Sequence, residues 1–330
     1  MKTKYDVSDA SKVFLWAVLL PQILAFFMVL IFSIYFKQSE LKDNIFYLIC
    51  CALLFQITFF LIFVYYNKKN KIDGIEAIGI KTKISIKNII LSALIPLIAV
   101  AGLINFISLS NMMFTSWGFT ESGLELPLNN FGWLILNVLF TCLAPAFMEE
   151  LIFRGVIFRG LRKRGFLFAC LISSLCFAIV HFSIFSLIYP IIMGIIFCLI
   201  VEKTGSIIYS MIAHFSNNLI ITVINYINIV NGSEFGTINI SSVLVGVIVC
   251  VVAIITFIVI IYTIKLFMDK NYTQNEVIDI EKMSDGKNIN EEKNDTKKNV
   301  LSYNKENKML IIAIACGTIL WIFELILTRL

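Results

Sequence analysis

Two histidines, His181 and His214, are the only imidazoles in 330 residues, and each sits in a stretch apolar enough to cross a membrane. A third such stretch contains Met148-Glu149-Glu150-Leu151-Ile152-Phe153-Arg154. Ionisable groups at membrane depth are costly, and those retained there mark chemistry or ion movement. A carboxylate beside an imidazole can take a proton from water. An imidazole beside a carboxamide can donate hydrogen bonds to an oxyanion. Both combinations are present, the second as His214-Phe-Ser-Asn217-Asn218.

The spacing assigns faces to these groups. Residues four apart share one side of a helix, so Glu150 meets Arg154 with the acid on the N-terminal side, the better orientation. Glu149 is turned about 100° away from Glu150. It is free to point elsewhere and is the candidate for chemistry. Phe177 and His181 share a face, as do His214 and Asn218. Each cluster also has a plainer reading. Glu150 and Arg154 could be a charged helix end that sets topology together with Arg159, Arg162, Lys163 and Arg164. His181 could be a satisfied structural side chain. His214 and Asn218 could be interhelical hydrogen-bonding glue.

The elements that must hold these groups follow from composition. Apolar residues make up 59 % of the chain, charged residues 15 %, and mean hydropathy is +0.88. Soluble domains average about 45–50 % apolar. The fold class is therefore all-α, a polytopic transmembrane helix bundle embedded in a lipid bilayer. The net charge of +5 is spread as a topology signal and does not point to nucleic acid. The eight cysteines lie in apolar stretches without a Cys-x-x-Cys pair, so they read as small buried hydrophobes.

A span needs about 20 apolar residues. The candidates are Val13–Phe36, Asn44–Tyr66, Asn88–Leu109, Phe131–Gly160, Gly165–Phe182, Tyr189–Val201, Ser206–Val230 and Ser241–Lys265, with a last one at Met309–Thr328. That is about eight helices plus one C-terminal helix after a polar linker. The divisions are 1–130 for the first membrane helices, 131–230 for a core carrying all three clusters, 231–267 for the eighth helix, 268–308 for a disordered cytoplasmic linker, and 309–330 for the last helix. With the N-terminus in the cytoplasm, all of the 27 Lys and Arg except Lys37, Lys42 and Arg329 fall on or towards the cytoplasmic side, as the positive-inside rule requires.

Depth links the clusters. Glu149 lies as many residues before Gly165 as His181 lies after it, which places both roughly 24 Å from that turn if the helices are straight. His214 lies only about 15 Å from the Lys203–Gly205 turn. The offset of about 9 Å calls for tilt, a longer cytoplasmic end on the first hairpin, or a cavity open to the cytoplasm.

Glu-Glu-x-x-x-Arg, then Phe-x-x-x-His, then His-x-x-x-Asn on successive apolar segments resembles the CPBP family. These are the intramembrane proteases named for CAAX-protein and bacteriocin processing, also called the Abi family. The resemblance runs from about Phe131 to Val230 and does not extend to the linker and last helix. It implies a helical bundle with a conical cavity and an endopeptidase acting on a peptide at the membrane. It implies that Glu149 and His181 activate water, that His214 and Asn218 stabilise the oxyanion, and that Glu150 and Arg154 orient the site. The family has been described both as zinc-dependent and as metal-free. A zinc would take Glu149, His181 and His214 as three ligands with one position open. These residues lack a tight spacing such as His-Glu-x-x-His, so metal-free activation of water by Glu149 and His181 is the preferred expectation.

The Ile-, Asn- and Lys-heavy composition suggests an AT-rich bacterial genome, hence a bacterial plasma membrane. The expected partner is a leader peptide, a peptide toxin or a membrane protein, with bacteriocin self-immunity as a role. Two other classes stand beside this one. An ion or proton transporter would use the same buried charges and should show broken helices and repeated topology; Pro145 is present but a repeat is not. A non-catalytic immunity or binding protein would use the same cavity without turnover.

Overall fold

The computed structural model describes residues 5–37, 41, 44–72, 84–120, 126–232, 243–269 and 295–327. Among these the regular structure is helical throughout, in nine helices. They are α1 (Val7–Tyr35), α2 (Ile45–Lys69), α3 (Ile86–Ser116), α4 (Phe131–Arg164), α5 (Phe166–Ile179), α6 (Ile188–Thr204), α7 (Ile207–Asn231), α8 (Val243–Phe267) and α9 (Asp295–Leu327). Seven are long and apolar enough to cross a membrane; α5 and α6 are the two short ones.

Polar caps set the starts. Asp6, Asn44, Ser85, Asn130 and Ser206 each accept a hydrogen bond from a first-turn backbone N–H, which satisfies a donor that the helix leaves open. The Asp6 cap is why α1 begins before the apolar run proper. Gly165 (φ 98°) and Gly205 (φ 76°) turn the chain between α4 and α5 and between α6 and α7, conformations that a side chain would strain.

Two expectations need correction. The fifth span ends at Ile179 and does not continue to Phe182. The Nδ1 of His181 takes the Phe177 carbonyl at 2.8 Å, the carbonyl its own backbone N–H would need to continue the helix. That N–H bonds Ala178 instead. A side chain competing for a backbone acceptor in this way stops a helix, and Phe182 then turns out at φ 50°. The last helix begins at Asp295, inside the segment read as a linker; residues 270–294 of that segment lie outside the described residues.

α7 is the central element, packed on α3, α4 and α6, while α9 and α2 flank α1. One apolar cluster joins α1, α2, α4 and α5 with residues of α6, α7 and α9, and a second joins α3, α6, α7 and α8. Large apolar residues such as Phe26, Ile34 and Ile254 point outward, as lipid-facing positions do.

Candidate active site

The α4 backbone is irregular where the chemistry sits. Wider π-helical turns at Val138–Leu143 and Leu151–Phe158 flank the short α-helical stretch that ends in Glu149 and Glu150. Such turns are uncommon and gather at functional sites. Pro145 has no N–H to offer the Thr141 carbonyl four residues back, the usual consequence of proline inside a helix. The side-chain amide of Asn218 fills the gap, donating to that carbonyl at 3.3 Å.

This one bond fixes a longer relay. A carbonyl only accepts, so the Asn218 atom facing it must be Nδ2, and its Oδ1 must face the other way. Oδ1 accepts from Asn217 Nδ2 at 3.2 Å, and Asn217 Oδ1 in turn accepts from the Tyr189 hydroxyl. Tyr189, Asn217, Asn218 and Thr141 thus form a chain with a single direction, and the second N–H of Asn218 is left for the cavity.

Beneath the cavity lies a buried ion pair. Arg154 Nη1 donates to Glu150 Oε1 at 2.8 Å, and both side chains are 0 % exposed. Arg154 Nη2 donates to the Gly194 carbonyl at 3.3 Å. The guanidinium lies 4.5 Å and 5.0 Å from the Phe177 and Phe197 ring centres. Gly194 permits the approach of α6, because a Cβ there would stand 2.8 Å from that of Ser174. Neutralisation, aromatic faces and a backbone acceptor together offset the cost of burying two charges.

Glu150 also holds His214, whose Nδ1 lies 3.2 Å from Oε1. A carboxylate oxygen accepts, so Nδ1 carries the proton and Nε2 faces the cavity, 3.9 Å from Glu149 Oε2. Phe197 stacks on the His214 ring at 5.0 Å. Phe177 meets both imidazoles edge-on, at 5.1 Å to His181 and 5.6 Å to His214. At His181 the proton on Nδ1 is used on the Phe177 carbonyl, which leaves the Nε2 lone pair for other partners. Glu149 Oε1 accepts from Gln56 Nε2 at 3.4 Å.

A cavity of about 420 Å³ gathers these groups: Glu149, His181, His214 and Asn218 line it together with Gln56 and Tyr189. The structure therefore brings Glu149, Phe177, His181, His214 and Asn218 to one wall system, with Glu150 and Arg154 below. The depth offset is also accounted for. Arg159 donates to the Gly205 carbonyl and Arg162 pairs with Glu202, so the α6–α7 turn sits level with the last turns of α4. From Arg159 to Arg164 is about 7.5 Å of helix, close to the expected offset. The first hairpin has the longer cytoplasmic end.

Several groups of the site lie outside the motifs. Gln56 comes from α2, far from the clusters in sequence, and Phe197 and Tyr189 look like ordinary apolar residues of α6. Only Asn217, beside Asn218, carried a signal. A zinc would be held by Glu149 and the Nε2 atoms of His181 and His214, each Nδ1 being anchored as is usual for metal-bound imidazoles; among the described residues no three His, Cys, Asp or Glu side chains already stand at ligand spacing.

The fold and site define a class first: a polytopic helical membrane protein with a carboxylate, two imidazoles and a carboxamide around a cavity inside the bundle. Residues 131–220 match the family model described as Rce1-like, type II CAAX prenyl endopeptidase Rce1-like. The matched range holds every motif residue from Glu149 to Asn218, and over it the motif resemblance is borne out. The match supports an intramembrane CAAX-type endopeptidase in general. No curated protein and no solved structure matches the chain.

Proposed function

We propose that the protein hydrolyses a peptide bond of a peptide or membrane-protein segment drawn into this cavity. Glu149 takes a proton from a water that His181 Nε2 orients by accepting its other hydrogen. The hydroxide adds to the scissile carbonyl. The resulting oxyanion receives hydrogen bonds from Asn218 Nδ2 and, with the ring doubly protonated, from His214 Nε2. Glu149 returns its proton to the amide nitrogen as the carbon–nitrogen bond breaks. Glu150 and Arg154 hold His214 in place. The carrying observation is the 3.9 Å approach of Glu149 Oε2 to His214 Nε2 on the wall that also bears His181 and Asn218.

The substrate is a bacterial leader peptide, peptide toxin or membrane protein, and removal of a toxin gives self-immunity. The chain resides in a bacterial plasma membrane with its N-terminus cytoplasmic, the orientation its basic residues favour. The test is cleavage of a peptide library by the detergent-solubilised protein beside Glu149→Gln, His181→Ala and His214→Ala. Turnover is lost in all three variants while folding persists. Wild-type turnover in all of them refutes the assignment. Cells still protected from a toxin by Glu149→Gln would favour the non-catalytic binding reading.

A further inference from the structure

We infer that the cavity opens to the extracytoplasmic side of the membrane, so that its substrate is a peptide segment presented there after export or arriving from outside. The inference takes the cavity of the proposed function as the reaction site. It rests on where the basic ends and the cavity walls lie along each helix.

The basic ends meet at one end of the bundle. Lys69 at the end of α2 binds Asp9 at the start of α1, 2.8 Å away. Lys87 at the start of α3 binds Asp269 just past α8, at 3.0 Å. Lys203 at the end of α6 donates to the carbonyl of Lys265 in the last turn of α8. Arg162 pairs with Glu202, and Arg164 lies 3.9 Å from Glu306 of α9. These contacts join α1 to α2, and join α3, α4, α6, α8 and α9 to one another. Gly160 near the end of α4 lies against the Asp6 carbonyl at the start of α1, and the positive-inside rule places the shared pole in the cytoplasm.

Most of the cavity wall lies away from that pole, the exception being α7, which contributes from His214 to Ile221, on the half nearer its start at Ile207. α2 contributes from Cys51 to Phe59, nearer its start at Ile45 than its lysines. α4 contributes from Phe140 to Glu149, α5 its C-terminal end, and α6 its N-terminal half from Tyr189 to Phe197. Glu149 is about 22 Å of helix above Arg164. Between cavity and basic pole the interior is closed: Arg154, Val156, Leu161, Thr204 and Ile207 are each 0 % exposed. The rim at the other pole is open, where His181 is exposed in the segment linking α5 to α6. A peptide from the cytoplasm would have to cross that packed layer, whereas one from outside meets His181 first.

The test is labelling with a membrane-impermeant maleimide, located by peptide mass spectrometry, in right-side-out and inside-out vesicles. The probes are His181→Cys at the rim, Lys163→Cys at the exposed α4–α5 turn, and the native Cys51 on the cavity wall, which needs no substitution. His181→Cys and Cys51 are expected to react in right-side-out vesicles and to lose that reaction in inside-out ones, with Lys163→Cys showing the reverse. Rim labelling confined to inside-out vesicles overturns the inference, as does a rim thiol that reacts from neither side. Labelling needs no turnover. Correct sidedness without any cleavage would sink the protease reading alone, and reversed sidedness with Glu149-dependent cleavage would sink the sidedness alone.

Discussion

Replacing Arg154 by Met removes one charge from a pair in which neither side chain is exposed. Deleting one partner of a buried ion pair costs about 3–5 kcal/mol, because the other charge stays behind without compensation. Here the stranded group is Glu150. His214 Nδ1, 3.2 Å from the same oxygen, remains as a partial partner and puts the loss near the lower figure. About 3 kcal/mol corresponds to roughly a 150-fold fall in the folded-to-unfolded ratio, at 1.36 kcal/mol per tenfold. Met keeps the length and apolar stem, so Phe177 and Phe197 retain a neighbour. The assay is reversible unfolding of wild type, Arg154→Met, Glu150→Gln and the double variant in mixed micelles. In the double variant, loss of both charges should restore part of the stability, giving a coupling energy well above the error of additivity. A single variant within about 0.5 kcal/mol of wild type, in the range of inert surface changes, would refute the view that this pair is held together by mutual neutralisation.

Two further outcomes are expected. Tyr189→Phe removes the donor at the head of the relay to Asn218, so kcat should fall by roughly two- to tenfold, the worth of one hydrogen bond, while KM stays near wild type; an unchanged kcat would show that Asn218 needs no such alignment. Proteolysis should survive treatment with a strong chelator, and metal analysis should find less than one zinc per chain. Stoichiometric zinc with activity lost on chelation and restored by zinc would instead make Glu149, His181 and His214 ligands.

The helix count, the placement of most helix ends and the three polar clusters are readable from hydropathy and four-residue spacing. What escaped depends on contacts between distant segments. The break after Ile179 arises from a single His181 side chain capturing the Phe177 carbonyl, and no periodicity signals such a competition. Gln56 joins the site because α2 packs beside α4, a neighbour relation that no local pattern encodes. Phe197 stacks on His214 but reads as one more apolar residue in a run. The depth offset of His214 is legible from the two turns, but which of tilt, a longer first hairpin or a cytoplasmic opening explains it is not, because that depends on the contacts of Arg159 and Arg162 that set the α6–α7 turn higher.

The seating of α9 against α1 bears on how the chain matures. α9 packs against α1, and its Gly317 meets Phe14 and Ile179, where a Cβ would stand 3.0 Å from the Phe14 ring. α1 is therefore completed by a helix far later in the chain, Phe14 by Gly317. Until α9 has entered the bilayer, that face of α1 is exposed to lipid or to whatever insertion factor holds it. Contacts of such long sequence separation form late, although the entropic cost of closing a long loop grows only slowly with its length. A ribosome stalled before α9 would leave a bundle whose catalytic groups are all present but whose α1 is covered by α2 and α4 alone, with the face that α9 takes left open.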